Sequence, residues 1–138
     1  SYVDWTCLDG YNSYSTWLDF NTRFTGTGTT WLKNSYGLVT ALAPTKPMMI
    51  GETGSLEAGD GGAKKAAWFT DALKTQLIYN FPKVKAFVYF NWNDGSSANT
   101  YPIETTSASQ SAFASGISLS NYKASNYASL NTSPIPPP

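Results

Sequence analysis

The chain has 138 residues, 41% of them hydrophobic, which is enough for one ordinary domain with its own core. Its net charge is zero, only 13% of its residues are charged, and no basic run occurs, which excludes a nucleic acid bound through its phosphates. Histidine is absent, which excludes Ser-His-Asp and Cys-His catalysis and removes the commonest zinc ligand. If the chain is an enzyme, its carboxylates must carry the chemistry.

The first predicted element is a strand near residues 2–8, in "YVDWTCLDGYN", which closes at an Asp-Gly pair. The single cysteine, Cys7, cannot form an internal disulfide, and we predict that it is a small buried strand residue. After a loop rich in Gly and Thr, the stretch "TTWLKNSYGLVTALAP" has helical character, with Trp31, Leu38 and Leu42 among its apolar residues, and stops before Pro44.

The second predicted strand covers residues 47–52, in "KPMMIGETG", and ends in Glu52 between two glycines. A carboxylate in this position is expensive if it is buried, which makes Glu52 a candidate functional residue. Taken alone, the same pattern also fits a carboxylate that caps the following turn or pairs with a lysine.

The longest predicted helix covers residues 61–80 and is followed by Pro82. Its apolar residues fall at helical spacing and its lysines lie off that stripe: Ala66, Phe69, Leu73 and Leu77 against Lys64, Lys65 and Lys74. A third strand is predicted over residues 85–91, in "KVKAFVYFNWNDG", and "SASQSAFASGI" is predicted as a last helix.

Strand and helix thus alternate three times, and the strands are continuously apolar, which is typical of a parallel sheet covered by helices. Such α/β folds bind ligands at the carboxyl ends of their strands. The three strands are followed by polar or aromatic clusters, "LDGYN", "GETGS" and "FNWNDG", which the fold would bring side by side.

Four segments in this order, "YVDWTCLDGYN", "KPMMIGETGS", "FVYFNWN" and "YPIETTSASQSAFASGI", resemble the last three βα units of a clan A glycoside hydrolase barrel. Glycoside hydrolase family 26, which includes β-mannanases and some glucanases and xylanases, is the closest match. The resemblance implies the C-terminal three βα units of a TIM (β/α)8 barrel: residues 1–132 supply strands six to eight, and residues 133–138 are a Pro-rich linker or tail.

The resemblance also implies roles for individual residues. Glu52 matches the nucleophile of a retaining double displacement, Trp92 matches the tryptophan that stacks beneath the sugar, and Tyr11 matches a tyrosine that hydrogen-bonds the nucleophile. Trp5 and Trp17 are further candidates for lining the substrate cleft, with core packing as the other interpretation. No cofactor or metal is implied.

The implied enzyme is a secreted retaining endo-β-glycanase, a β-1,4-mannanase, that acts on plant polysaccharide or oligosaccharide. The family's acid/base residue follows the fourth strand, which lies upstream of Ser1, and neither Glu57 nor Glu104 occupies that position. We therefore expect the remaining N-terminal part of the barrel as a partner, and neither nucleic acid nor a membrane.

Three alternatives stay open. An endo-β-glucanase or xylanase of the same clan would share the nucleophile. A non-catalytic carbohydrate-binding module would explain the aromatic content of 15%, although such modules are usually antiparallel β-sandwiches. A small flavodoxin-like domain that binds a phosphorylated ligand is the least favoured, because no glycine-rich phosphate loop is present.

Overall fold

The computed structural model describes residues 3–13, 17–93 and 100–122, and the predicted tail at 133–138 lies outside them. The fold is α/β: a parallel sheet of three strands in the order β1-β2-β3, covered by helices, as the sequence predicts. The strands are β1 (Thr6–Asn12), β2 (Met48–Ser55) and β3 (Val84–Tyr89).

The helices follow the strands along the chain and cover one face of the sheet. They are α1 (Phe20–Thr25), α2 (Ser35–Leu42), α3 (Ala63–Asp71) and α4 (Ser107–Ile117), with a π-helical segment (Ala72–Asn80) continuing α3 and a 3-10 turn (Ile103–Thr105) preceding α4. Side chains cap α1 and α4, because Asp19 accepts from the Thr22 amide at 2.6 Å and Thr106 accepts from the Ser109 amide at 3.1 Å. Among the described residues, no helix has both the length and the apolar character needed to cross a membrane.

The core lies between the sheet and the helices and is dominated by aromatic rings. Phe20 packs against Phe24, Trp68 and Phe81 with ring centroids 4.9–5.7 Å apart. Ile50 joins this cluster from the middle of β2 and is fully buried. This packing fixes which face of β2 points inward.

The other face of the sheet is open in the part of the chain that the structure describes. Val88 of β3 is 50% exposed, and the side chains of Cys7 and Asp9 in β1 are also exposed. The prediction that Cys7 is buried is therefore wrong, because its side chain points away from the helices. Side chains of successive strand residues alternate between faces, so a β1 residue next to a core position must lie on the open face.

All three predicted strands have different limits in the structure, and the third, predicted over residues 85–91, is observed over Val84–Tyr89. β1 begins at Thr6 and runs through Asp9 and Gly10 to Asn12, where the sequence indicated a turn. Gly10 serves close packing instead, since a Cβ there would lie 2.9 Å from the Phe24 ring of α1. β2 likewise continues three residues past Glu52, to Ser55.

Two helix predictions also need correction. Of the stretch predicted as helical between Thr29 and Pro44, only Ser35–Leu42 forms α2, because Asn34 caps the helix by accepting from the Gly37 amide at 2.8 Å. Trp31 therefore lies outside the helix. Lys65, predicted to lie off the apolar stripe of its helix, is nevertheless fully buried.

Candidate active site

The site is organised by one extra residue in β2. Ile50 pairs with Leu8 of β1 and with Phe87 of β3, while Thr53 pairs with Gly10 and Tyr89. Three steps along β2 therefore match two steps along each neighbour, which is the arrangement of a β-bulge.

The bulge decides where Glu52 points. In a regular strand Glu52 would share a face with Ile50, two residues before it, and would enter the core. The extra residue moves Glu52 to the open face, where it is exposed and pairs with Asp9. Gly51 supplies the room, because a Cβ there would lie 2.4 Å from the Cys7 sulfur and 3.0 Å from an Asp9 carboxylate oxygen.

Tyr11 and Glu52 meet on the open face. The Tyr11 hydroxyl donates to Glu52 Oε2 at 2.5 Å, across β1 and β2. Burial raises the pKa of Tyr11, and the hydrogen bond and charge of Glu52 raise it further. The phenol therefore keeps its proton and holds one carboxylate oxygen in place.

Two further aromatic rings stand beside this pair and form a cluster with the ring of Tyr11. Tyr11, Phe90 and Tyr101 contact one another edge to face, with centroids 5.3–5.7 Å apart. Gly54 gives the rings room, because a Cβ there would lie 2.8 Å from Tyr101 and 3.3 Å from Tyr11. The rings fix the position of the Tyr11 hydroxyl and hence of the carboxylate that it holds.

The Lys65 side chain holds the segment that carries Tyr101 in place. The fully buried ammonium donates to the carbonyl oxygens of Thr100, Tyr101 and Pro102 at 2.9, 3.0 and 2.7 Å. Burial lowers the pKa of Lys65 to about 8, an effect that the carboxylate of Glu57, 3.7 Å away, partly offsets. The Tyr89 hydroxyl donates to the same Tyr101 carbonyl at 2.8 Å.

Glu57 has a structural position. One of its oxygens, Oε1, accepts hydrogen bonds from the hydroxyls of Thr105 and Ser109 and pairs with Lys65. It is thus bound to the start of α4 and to the anchor of the Tyr101 segment. The exposed Glu104 lies in the 3-10 turn before α4.

The three tryptophans predicted to contact substrate have different positions. Trp92 is 64% exposed and lies three residues after β3, and the backbone of Phe90, two residues before it, is bonded to Thr53 of β2. Trp5 precedes β1 at the amino end of the strand, whereas Glu52 lies in the carboxyl half of β2, and its assignment to the cleft stays a prediction. Trp17 lies on the side of α1 and α3, where Lys64 of α3 is over its ring.

The other reactive groups near Glu52 do not form a metal site. Desolvation raises the pKa of the Cys7 thiol, and the Asp9 carboxylate raises it further, so the thiol stays protonated at neutral pH. Within the described ranges, no group of three or more His, Cys, Asp or Glu side chains is placed to hold a metal ion. The chemistry available here is that of an exposed, positioned carboxylate beside aromatic rings.

Comparison with protein-family models and with curated proteins found no match to this chain. The site is therefore interpreted from its own geometry.

Sequence reasoning missed three residues of the site: Phe90, Tyr101 and Lys65. Phe90 is the last residue of the apolar run that predicts the third strand, and Tyr101 opens the "YPIETT" motif, so both stood next to recognised signals. No local signal marks Lys65, because its acceptors lie at least 35 positions further along the chain.

Proposed function

We propose that this chain carries the nucleophile part of a retaining endo-β-glycanase, a β-1,4-mannanase, with Glu52 as the nucleophile. The observation that carries the proposal is the contact between Glu52 and Tyr11 on the open face of a parallel sheet. A retaining glycosidase needs an ionised carboxylate that attacks the anomeric carbon, and that carboxylate must be held rigidly. Strand β2 and the Tyr11 hydroxyl meet this need.

The aromatic surroundings support a sugar as the substrate. Tyr11, Phe90 and Tyr101 form one wall beside the carboxylate, and the exposed Trp92 follows the neighbouring strand. Indole and phenol rings present flat apolar faces together with polar tips, and these suit the C–H faces and hydroxyl groups of a neutral glycan. In the proposed mechanism Trp92 stacks beneath the sugar at the cleavage site.

The second carboxylate of the mechanism has to come from elsewhere. In a retaining enzyme the acid/base carboxyl group lies about 5–5.5 Å from the nucleophile. Glu57 does not suit this role, because its Oε1 is occupied by Lys65, Thr105 and Ser109. We infer that the acid/base residue belongs to the N-terminal part of a (β/α)8 barrel whose last three units this chain supplies, and that the chain alone is catalytically silent.

Non-catalytic carbohydrate binding is the competing function. It needs the same exposed rings but gives Glu52 no chemical role, so the reactivity of Glu52 separates the two. The parallel α/β architecture differs from the antiparallel sandwiches that are usual for binding modules, which favours the enzyme.

Covalent labelling of Glu52 tests the proposal with this chain alone. The reagent is a 2-deoxy-2-fluoro-β-mannoside that carries a dinitrophenyl group at C1. Dinitrophenolate departs without acid assistance, so a carboxylate can attack C1 even where the acid/base residue is missing. We expect a mass increase of one fluoromannosyl group, located on the peptide that contains Glu52 by tandem mass spectrometry. An excess of mannan oligosaccharide should slow the labelling.

Glu52→Gln is the matched negative control, and Glu57→Gln is the matched control for labelling of another glutamate. Label on a different carboxylate, or equal labelling of Glu52→Gln, would assign the nucleophile to another group. Binding of the oligosaccharide with no labelling at all would favour the binding module.

A further inference from the structure

A second feature suited to sugar recognition lies on the helix-covered side of the sheet. Between the start of α1 and the loop that follows it, the surface forms a depression of about 450 Å³. This volume is within the range of about 300–1,000 Å³ that is usual for small-molecule sites. Trp17 and Trp31 line it, and they are 36% and 58% exposed.

Besides Leu18 and Gly28, the rest of the lining consists of residues with hydroxyl groups and one carboxylate: Asp19, Thr22, Thr27, Thr29 and Thr30. Part of this lining is held by local bonds, since the carboxylate oxygens of Asp19 accept from the amide and hydroxyl of Thr22, and the Thr29 hydroxyl donates to the Gly26 carbonyl at 2.9 Å. Two indole rings together with short hydroxyl side chains offer stacking surfaces and hydrogen bonds in one place, without a strong net charge.

Lys64 orients one of the two rings. Its ammonium lies over the Trp17 ring, 5.9 Å from the centroid, which is within the range of a cation–π contact. The ring that Lys64 contacts is still 36% exposed and lines the depression.

The depression is separate from the Glu52 site. Gly10 of β1 faces α1, where the Arg23 and Phe24 side chains approach it, whereas the next residue, Tyr11, faces Glu52. Successive strand residues point to opposite faces, so α1 and the depression beside it lie on the other side of the sheet from the Glu52 carboxylate. None of the residues that line the depression belongs to the Glu52 site.

We propose that the depression between Trp17 and Trp31 is an ancillary binding site for a neutral β-glycan, which holds the polysaccharide chain at a distance from the Glu52 site. This inference rests on the proposed function for its ligand class. Such a site raises the local concentration of substrate, because a polymer bound at one site reaches the other with an effective concentration set by the intervening chain.

Affinity electrophoresis of the full chain in gels that contain soluble glucomannan or galactomannan tests the site, with mannohexaose titrations followed by tryptophan fluorescence. We expect Trp31→Ala and Trp17→Ala each to weaken binding by about tenfold, equivalent to about 1.4 kcal/mol. Tyr79→Ala, at an exposed aromatic residue that belongs to neither site, should leave this binding unchanged. Trp92→Ala is the matched control, because it removes an exposed tryptophan of the Glu52 site. The Trp17→Ala and Trp31→Ala proteins should still bind polysaccharide at the Glu52 site.

The outcomes separate this proposal from the assignment of Glu52. Loss of binding in Trp31→Ala with normal labelling of Glu52 supports both, and the same loss without labelling supports the ancillary site alone. Equal polysaccharide binding by the wild type, Trp17→Ala and Trp31→Ala would overturn it. So would tryptophan-dependent binding of a proline-rich peptide without any binding of glycan, because the depression would then be a protein-docking surface.

Discussion

Glu52 reaches the open face because of its neighbour rather than because of its own side chain. Gly51 takes up the extra position of the bulge, and the close approach of the Cys7 sulfur and the Asp9 carboxylate leaves no room for a larger residue. A bulge next to a functional residue is a known way to redirect a side chain. The two residues of the "GE" pair therefore have distinct roles: the glycine permits the geometry, and the glutamate supplies the carboxylate of the proposed nucleophile.

We predict that the stability of the protein depends on the glycine at the bulge. Gly51→Ala places a Cβ at 2.4 Å from Cys7 Sγ, so we expect the free energy of unfolding to fall by about 1–3 kcal/mol. Cys7→Ala removes the sulfur, and the double variant should recover part of this loss. Urea unfolding followed by far-ultraviolet circular dichroism measures all three. Strictly additive effects would show that the two side chains do not compete for the same space.

The hydrogen bond between Tyr11 and Glu52 predicts a change in titration. Burial is the largest cause of the raised pKa of Tyr11, and the hydrogen bond to Glu52 is the second. Glu52→Gln removes the negative charge, so Tyr11 should lose its proton at a lower pH than in the wild type, while burial still keeps its pKa above the ordinary value of about 10.

This titration is followed by the ¹³Cζ shifts of labelled tyrosines, with Tyr11→Phe used to assign the resonance and the exposed Tyr79 as an internal control. The measurement extends over the pH range in which the circular dichroism stays native. An identical Tyr11 titration in the wild type and in Glu52→Gln would mean that the two groups do not meet in solution.

At the scale of elements, the sequence predicts those helices and strands that depend on the order of neighbouring residues. The three apolar runs form parallel strands, and "SASQSAFASGI" forms α4 over Ser107–Ile117 as predicted. The bulge could not be predicted, since it depends on how β2 aligns with two other strands. The burial of Lys65 depends on the carbonyls of a distant segment, so no helical periodicity could indicate it.

Lys65 joins α3 to the segment between β3 and α4, and this connection has a pH dependence. The pKa of Lys65 is lowered from 10.5 to about 8 by burial, against the opposing charges of Glu57 and Glu104. Between these two values the unfolded chain binds more protons at this lysine than the folded protein does, so Lys65 makes the free energy of unfolding rise with pH. Below about pH 8 both states keep the ammonium, and the contribution is constant.

We therefore expect the free energy of unfolding of the wild type, minus that of Lys65→Met, to increase with pH. The expected increase is on the order of 1 kcal/mol between about pH 7 and pH 9.5. Urea unfolding at each pH gives this difference, and Lys64→Met, at the exposed neighbouring lysine, is the matched control. A difference that stays constant over the whole range would show that Lys65 remains protonated in the folded protein.

At the scale of the whole molecule, the described residues cover the sheet on one side only. Sheets composed entirely of parallel strands usually have both faces covered, whereas here the open face exposes Val88 together with Glu52. Strands β1 and β3 are also unpaired at their outer edges in the described sheet. In the proposed barrel this face would line the interior, and the remaining strands would pair with both edges.

The open face predicts self-association of the chain when it is purified alone, because exposed apolar surface and unpaired strand edges favour contacts between copies. Val88→Lys places a charge on this face, outside the helix-covered core, and should shift the chain towards the monomer in size-exclusion chromatography with light scattering. Leu42→Lys, at an apolar residue of α2 that is 83% exposed, is the matched control for association through the helices. If Leu42→Lys dissociates the chains and Val88→Lys does not, association uses the helical surface.

The activity of the purified chain is tested by the release of reducing ends from mannan. If a monomeric wild-type chain releases them and Glu52→Ala does not, this chain holds a complete site. The acid/base residue would then have to be sought again at Glu104 and Glu57.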